Sequence, residues 1–241
     1  MPTAPLRQLS LWDRNVEAPE WRVRESPRAR RMSVRVWRDG AVEVVVPRRT
    51  RAAEVASFVS RHRQWIERQR QRSTPRPDEP FPPQRVEFAA TGESWRCAAS
   101  SRRGVVVTAA GELVLPAAVE PVRLRTLLQR WLATRALVAL EPGLARLAAD
   151  MGVSYARLQI RRQRTRWGSC STRGTVSLNS CLLFQRPEVV RYLMVHELAH
   201  VEHMNHSARF WRHVARFEPG WRELDRELVQ GWQRVPRWAL G

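Results

Sequence analysis

Lysine is missing from this sequence, so the 42 positively charged side chains among its 241 residues are all arginines. Against 23 acidic residues they leave a formal net charge of +19. A codon bias toward arginine explains the choice of residue, but it does not explain the excess of positive over negative charge. A surface of this kind attracts anions, and we expect weak, salt-sensitive binding to nucleic acid or nucleotides.

Cysteine and long apolar runs are also scarce. The three cysteines, Cys97, Cys170 and Cys181, form neither an even set for disulfides nor a C-x-x-C motif, which is typical of a reducing compartment. No window approaches 18 consecutive apolar residues, and residues 1–15 lack the apolar centre of a signal peptide. These absences predict a cytoplasmic protein without a membrane partner.

The remaining pattern predicts an α+β protein in three parts. Residues 1–20 are expected to be a poorly structured leader. Residues 21–120 predict an antiparallel, β-rich N-terminal portion with one helix, in which 73–83 is a proline-rich connector. Residues 121–241 predict a second, mainly helical domain.

Within these parts, several elements can be predicted individually. Alternating apolar residues on either side of Asp39-Gly40 predict a β-hairpin, and residues 51–72 have the period of a helix. A helical stretch at 124–149 is expected to break near Pro142-Gly143, and residues 164–179 predict a second hairpin. Two further helices are predicted at the C-terminal side, over Ala208–Phe217 and over 221–232.

The motif H-E-x-x-H, formed by His196, Glu197 and His200, is the most specific chemical signal in the chain. On a helix, residues i and i+4 lie on one face, so both imidazoles can point at one metal ion. Glu197 lies beside that face and can reach a water on the metal without being a ligand. This arrangement favours zinc, with the glutamate as general base.

A third ligand must come from beyond the helix, because histidines at i, i+4 and i+7 would span about 10 Å along its axis. His206 is the preferred choice, since Ser207 can cap a new helix directly after it. The alternative is a downstream carboxylate, Glu218 or Glu223. His203 and His213 are expected to be structural or exposed to solvent.

The three-histidine spacing equals that of the metzincins, but two features exclude that assignment. The glycine of their motif is replaced by His203, and no methionine follows Met204 to form their Met-turn.

A larger pattern resembles the YgjP-like metallopeptidase family, which is related to the SprT-like and WLM zinc proteins. The resemblance rests on R-W-G-S-C-S at residues 166–171, Leu178-Asn179, residues 192–200, Asn205-His206-Ser207 and Phe210-Trp211, in this order. It covers about residues 22–230. The chain departs from the usual pattern at Arg164, where a lysine is common, and at residues 91–95.

The resemblance implies a zincin-like catalytic domain over 121–241 with one zinc ion per chain, the ligands His196, His200 and His206, and Glu197 as the catalytic residue. It also implies that an edge strand pairs with the substrate backbone. Trp167 and Asn179 would then lie near the active site, or Trp167 would simply pack against the helix. Arg164 and Arg166 are candidates for holding a substrate carboxylate or phosphate.

The function expected from these observations is a zinc metallopeptidase that cleaves a peptide or protein substrate through a zinc-bound water activated by Glu197. Two alternatives remain open at this point. One is a metal-dependent phosphohydrolase acting on nucleotides, suggested by Arg164 and Arg166. The other is a nucleic-acid-associated protease or binding module, docked through the arginines at 28–31 and 68–72.

Overall fold

The computed structural model describes residues 21–37, 41–72, 79–101, 104–108 and 111–240. The chain forms two compact units that divide between residues 78 and 79. The predicted leader at 1–20, the Asp39-Gly40 turn and residues 73–78 of the predicted connector lie outside the described residues.

In the residues that the structure describes, the first unit contains a three-stranded sheet and one helix. Its elements are β1 (Trp21–Glu25), β2 (Ser33–Val36), β3 (Val42–Val46) and α1 (Ala52–Arg72). The strands β2 and β3 pair antiparallel, as the alternating pattern predicts. In contrast, β1 pairs with β3 in parallel, so this sheet is mixed and not purely antiparallel.

The core of this unit follows from two periodicities. Val42, Val44 and Val46 alternate along β3 and share one face of the sheet. Val55 and Val59 are four residues apart in α1 and therefore lie on one helical stripe, which packs into the same apolar cluster.

Among its described residues, the second unit contains two small sheets. The first is formed by β4 (Arg85–Phe88), β5 (Glu93–Ser100), β6 (Val106–Val107) and β7 (Glu112–Pro116), in the order β4-β5-β7-β6. The second is formed by β8 (Arg157–Arg161), β9 (Gly168–Cys170) and β10 (Thr175–Asn179), in the order β8-β10-β9. Parallel pairing joins β5 to β7 and β8 to β10, whereas β9 and β10 form the antiparallel hairpin predicted for residues 164–179.

The helices of this unit are α2 (Pro121–Met151), α3 (Pro187–Glu202), α4 (Ala208–Phe217) and α5 (Trp221–Gln230). The break predicted near Pro142 does not occur: α2 continues through the proline. Leu140, Leu144 and Leu147 are buried on both sides of the proline. Their burial offsets the one hydrogen bond that the proline cannot donate.

The core of the second unit unites its first sheet with its helices. Phe88 and Leu113 from the sheet belong to the same apolar cluster as Leu128 of α2 and Leu198 of α3. We expected residues 79–120 to belong to the N-terminal portion, but the structure groups them with the helix that carries H-E-x-x-H. None of the helices in the described ranges has the length and apolar character needed to cross a membrane.

Candidate metal centre

The helix α3 presents two histidines on one face. It begins with Pro187 at its first turn, where the missing N–H costs nothing, and with Glu188 near the positive end of the helix dipole. Buried apolar residues hold its inner face against the core. His196 and His200, one turn apart, have ring centroids separated by 5.0 Å.

The third histidine reaches this face because α3 stops at Glu202. His203 is the C-cap, and its extended backbone (φ −128°, ψ 90°) turns the chain away from the helix axis. Ser207 then caps α4 by accepting a hydrogen bond from the Phe210 backbone N–H, as predicted. Between the two helices, His206 points back so that its Nε2 lies 3.1 Å from Nε2 of His196.

The three imidazoles converge. Each of His196, His200 and His206 offers one ring nitrogen, and these nitrogens all lie within 4.8 Å of one another. The alternative ligands do not join them in the described part of the chain. The carboxylate of Glu218 lies 3.2 Å from Arg191, and Glu223 is largely exposed beside Arg226.

Hydrogen bonds to the far ring nitrogens orient two of these imidazoles. The Nδ1 of His200 lies 3.0 Å from the backbone oxygen of His203, and the Nδ1 of His196 lies 3.4 Å from the Tyr192 hydroxyl. The hydroxyl in turn donates to Asp225 at 2.8 Å. Contacts of this kind set the tautomer that leaves Nε2 free for a metal ion.

Tyr192 and Asp225 were not predicted. Tyr192 precedes His196 by four residues, so the helical spacing could have identified it. Asp225 lies on α5, 33 residues further along the chain from Tyr192, and no local pattern connects the two.

Replacing Tyr192 with phenylalanine should weaken metal binding by about 10- to 100-fold, because His196 loses the group that orients its ring. The affinity can be measured by competition with a chelator of known strength. Tyr155→Phe, at the other tyrosine of the chain, is the matched control and should bind as tightly as the wild type. Equal affinities in the two variants would remove Tyr192 from the site.

Glu197 is buried beside the histidines, with only 4% of its surface exposed. Its Oε2 has no hydrogen-bond partner within the described residues. Gly168 of β9 makes room for it, because a Cβ at this glycine would lie 2.5 Å from Oε1 of Glu197. The glycine of the R-W-G-S-C-S motif is therefore required where β9 passes over the carboxylate.

The electrostatics of the site follow mainly from burial. Burial, together with smaller electrostatic contributions from His200 and His206, lowers the pKa of His196 to about 3, so its ring is neutral at physiological pH. The pKa of His200 is also lowered, chiefly by burial. Burial raises the pKa of Glu197 to about 8, against the opposing positive charge of Arg166. Neutral imidazoles are the form that binds metal ions.

Aromatic rings surround the histidines. Phe210 lies 4.5 Å from the ring centroid of His200 and 4.9 Å from that of His196. Trp211 stacks on His206 at 5.5 Å and on Trp221 at 4.0 Å. The Phe210-Trp211 pair of the sequence motif thus restricts the orientations open to all three imidazoles.

The four predicted substrate-binding residues differ in their surroundings. Trp167 is buried and stacks on Trp232, with centroids 4.0 Å apart. Asn179 is also buried, and its amide donates to the backbone oxygens of Gln163 and Arg166 at 2.7 and 2.8 Å. Arg164 and Arg166 are exposed, and only Arg166 influences the pKa of Glu197.

One comparison with known proteins identifies a family. Residues 30–230 match the model of a family described as YgjP-like, metallopeptidase domain. None of the curated proteins compared with the chain matches it.

Two solved structures are similar to part of the chain. The metallopeptidase zymogen abylysin of Pyrococcus abyssi is 27% identical with a TM-score of 0.37, and the match covers 40% of this chain and 97% of that one. The metallopeptidase zymogen jannalysin of Methanocaldococcus jannaschii is 17% identical with a TM-score of 0.35, covering 39% and 96%.

The family match includes α3, the turn that carries His206, and β9 with Gly168, and it extends over most of the chain. The chain therefore belongs to the YgjP-like family of metallopeptidase domains.

Proposed function

We propose that the protein is a zinc peptidase in which His196, His200 and His206 hold one zinc ion and Glu197 is the general base. The observation that carries this proposal is the convergence of three ring nitrogens within 4.8 Å. Glu197, which directly follows His196 in α3, is buried, and its Oε2 has no hydrogen-bond partner among the described residues. Burying an unpaired carboxylate costs folding free energy. Such a group is therefore expected where it serves a function or meets a cation.

The donor set fits zinc. Zn–N bonds of about 2.0–2.1 Å in a tetrahedron separate two ligand nitrogens by about 3.3 Å. The Nε2 atoms of His196 and His206 are 3.1 Å apart, close to that separation. Three imidazole ligands leave one of four positions open, as in catalytic zinc sites.

In this mechanism, bound zinc supplies Lewis acidity, which lowers the pKa of water to about 7 and polarises the substrate carbonyl. Glu197 accepts a proton from the attacking water and later delivers it to the amide nitrogen that leaves. Burial raises the pKa of Glu197 to about 8, and the charge of a bound cation would lower it toward the range in which the carboxylate accepts a proton. Gly168 keeps Glu197 in the required position.

The edge of β9 is the proposed binding strip for substrate. β9 lies at the end of its sheet in the described structure. Ser171 N–H bonds to Thr175 O, and Asn179 N–H bonds to Trp167 O. Because antiparallel bonds alternate, Gly168 and Cys170 must direct their N–H and C=O groups outward.

An extended peptide can therefore pair with Gly168 and Cys170 by strand addition, which brings a peptide bond near Glu197. Arg166, exposed two residues before β9 begins, is our candidate for contacting a carboxylate of the substrate. We assign Trp167 and Asn179 a supporting role, since both are buried and hold the loop before β9.

The zinc content of the purified protein, compared with that of His206→Ala, tests the metal site. The wild type should retain about one tightly bound zinc per chain. Loss of a hydrogen bond that supports a ligand weakens zinc binding by about 10- to 100-fold. Loss of the ligand itself in the variant should weaken binding by more than this. Cleavage of an unstructured protein such as casein should fall in parallel.

His62→Ala is the control, because His62 lies in α1 and bonds to the backbone oxygen of Phe58. It should retain zinc and activity. Unchanged zinc affinity in His206→Ala would show that His206 is not a ligand, and a zinc-loaded wild type without peptidase activity would contradict the proposed reaction.

A further inference from the structure

A second group of metal-binding side chains lies at the end of α3. Glu202, His203 and His213 each offer one ligand atom, and these atoms all lie within 4.8 Å of one another. Nδ1 of His213 is 3.1 Å from Oε2 of Glu202, and Nε2 of His203 is 4.0 Å from the same oxygen. None of these three side chains belongs to the site already described, to which His203 contributes only its backbone oxygen.

The surroundings of Glu202 are unusual for this chain. Arginines outnumber acidic residues by 42 to 23, and most paired carboxylates contact an arginine. In the described structure, however, the ion-pair contacts of Glu202 are with His203 and His213 alone. Two imidazoles facing one carboxylate form a donor set that binds zinc and similar divalent ions.

The group is also accessible. Side-chain exposure is 48% for Glu202, 28% for His203 and 14% for His213, so an ion can enter from solvent. Because the Glu202 side chain is exposed, it can rotate until its carboxylate oxygen lies about 2 Å from an ion held by the two histidines.

We propose that Glu202, His203 and His213 bind a second divalent metal ion, of the zinc class, separate from the catalytic one. Glu202 ends α3, His203 caps it, and His213 lies in α4. The ion would therefore join the two helices on either side of the turn that carries His206. It would also fix residue 203, whose backbone oxygen lies 3.0 Å from Nδ1 of His200.

The test is a titration of the full-length, metal-free chain with Zn²⁺ against a chromophoric chelator. The wild type should bind two equivalents, the second more weakly than the first. Both His213→Ala and Glu202→Gln should bind one. Glu202→Gln conserves size at a half-exposed position, so it tests the site even where His213→Ala perturbs packing.

Two further variants separate this site from the first. His206→Ala should lose the tight equivalent and keep the weaker one, and His62→Ala should keep both. A wild type that saturates at one equivalent, or two equivalents retained by both His213→Ala and Glu202→Gln, would overturn the second site without affecting the assignment of the first.

Discussion

Glu197→Gln will bind zinc as the wild type does, and its peptidase turnover will fall by about 10²- to 10⁴-fold, the contribution typical of a general acid–base group. Glutamine fills the same space in the buried pocket, so α3 and the histidines should not move. The amide cannot accept a proton from water, and it cannot return one to the leaving nitrogen. Zinc content and the rate of casein cleavage, measured on the same preparation, check both parts of the expectation.

The control for this variant is Glu188→Gln, which makes the same change in the first turn of the same helix. Glu188 is 60% exposed and lies near Arg186, so activity should stay within about twofold of the wild type because surface ion pairs contribute little. If Glu197→Gln turned over at the wild-type rate, another group would have to move the proton.

Gly168→Ala should reduce activity by about 10²-fold or more, the loss expected when a reacting group shifts by about 1 Å. The added Cβ would lie 2.5 Å from Oε1 of Glu197 and 2.9 Å from its Cγ and Cδ. A Cβ does not approach nonbonded atoms this closely, so the glutamate or β9 must shift. Zinc should remain bound, because the clash does not involve the three histidines.

A double-variant cycle tests the cause. If Gly168→Ala acts by displacing the carboxylate, it should have little further effect on activity in a Glu197→Gln background, since the affected function is already lost. Gly143→Ala in α2 is the control, because its Cβ would meet Met194 at an ordinary 3.8 Å. Full activity in Gly168→Ala would show that the glycine does not determine the position of Glu197.

Local patterns account for what the sequence predicted well. His196 and His200 lie on one face because they are one helical turn apart. Ser207 identifies the start of α4, because its side chain caps the helix by accepting a hydrogen bond from the Phe210 N–H. One helix cannot supply three ligands to a single ion, so the prediction turned to His206 beyond the end of α3. Its ring nitrogen lies within 4.8 Å of those of His196 and His200, and its role as a ligand stays a prediction.

Contacts between segments that are distant along the chain could not be predicted from the sequence. The link from Tyr192 to Asp225 joins two helices, and the parallel pairing of β5 with β7 leaves no trace in the alternation of either strand. The break predicted at Pro142 was wrong. The hydrogen bond that a proline removes from a helix can be inferred from the sequence, but the burial of the neighbouring leucines, which compensates for it, cannot. The stacking of Trp167 on Trp232 is likewise a product of tertiary packing.

The unpaired edge of β9 has a consequence for which proteins such a peptidase could cut. Gly168 and Cys170 have outward backbone groups that only an unpaired stretch of polypeptide can meet, because helices and sheets already use their own N–H and C=O groups. Targets would then be chosen by how often a segment opens, so the free energy of local unfolding matters more than a residue code. A damaged or loosely folded protein would be cleaved at a site that its intact form protects.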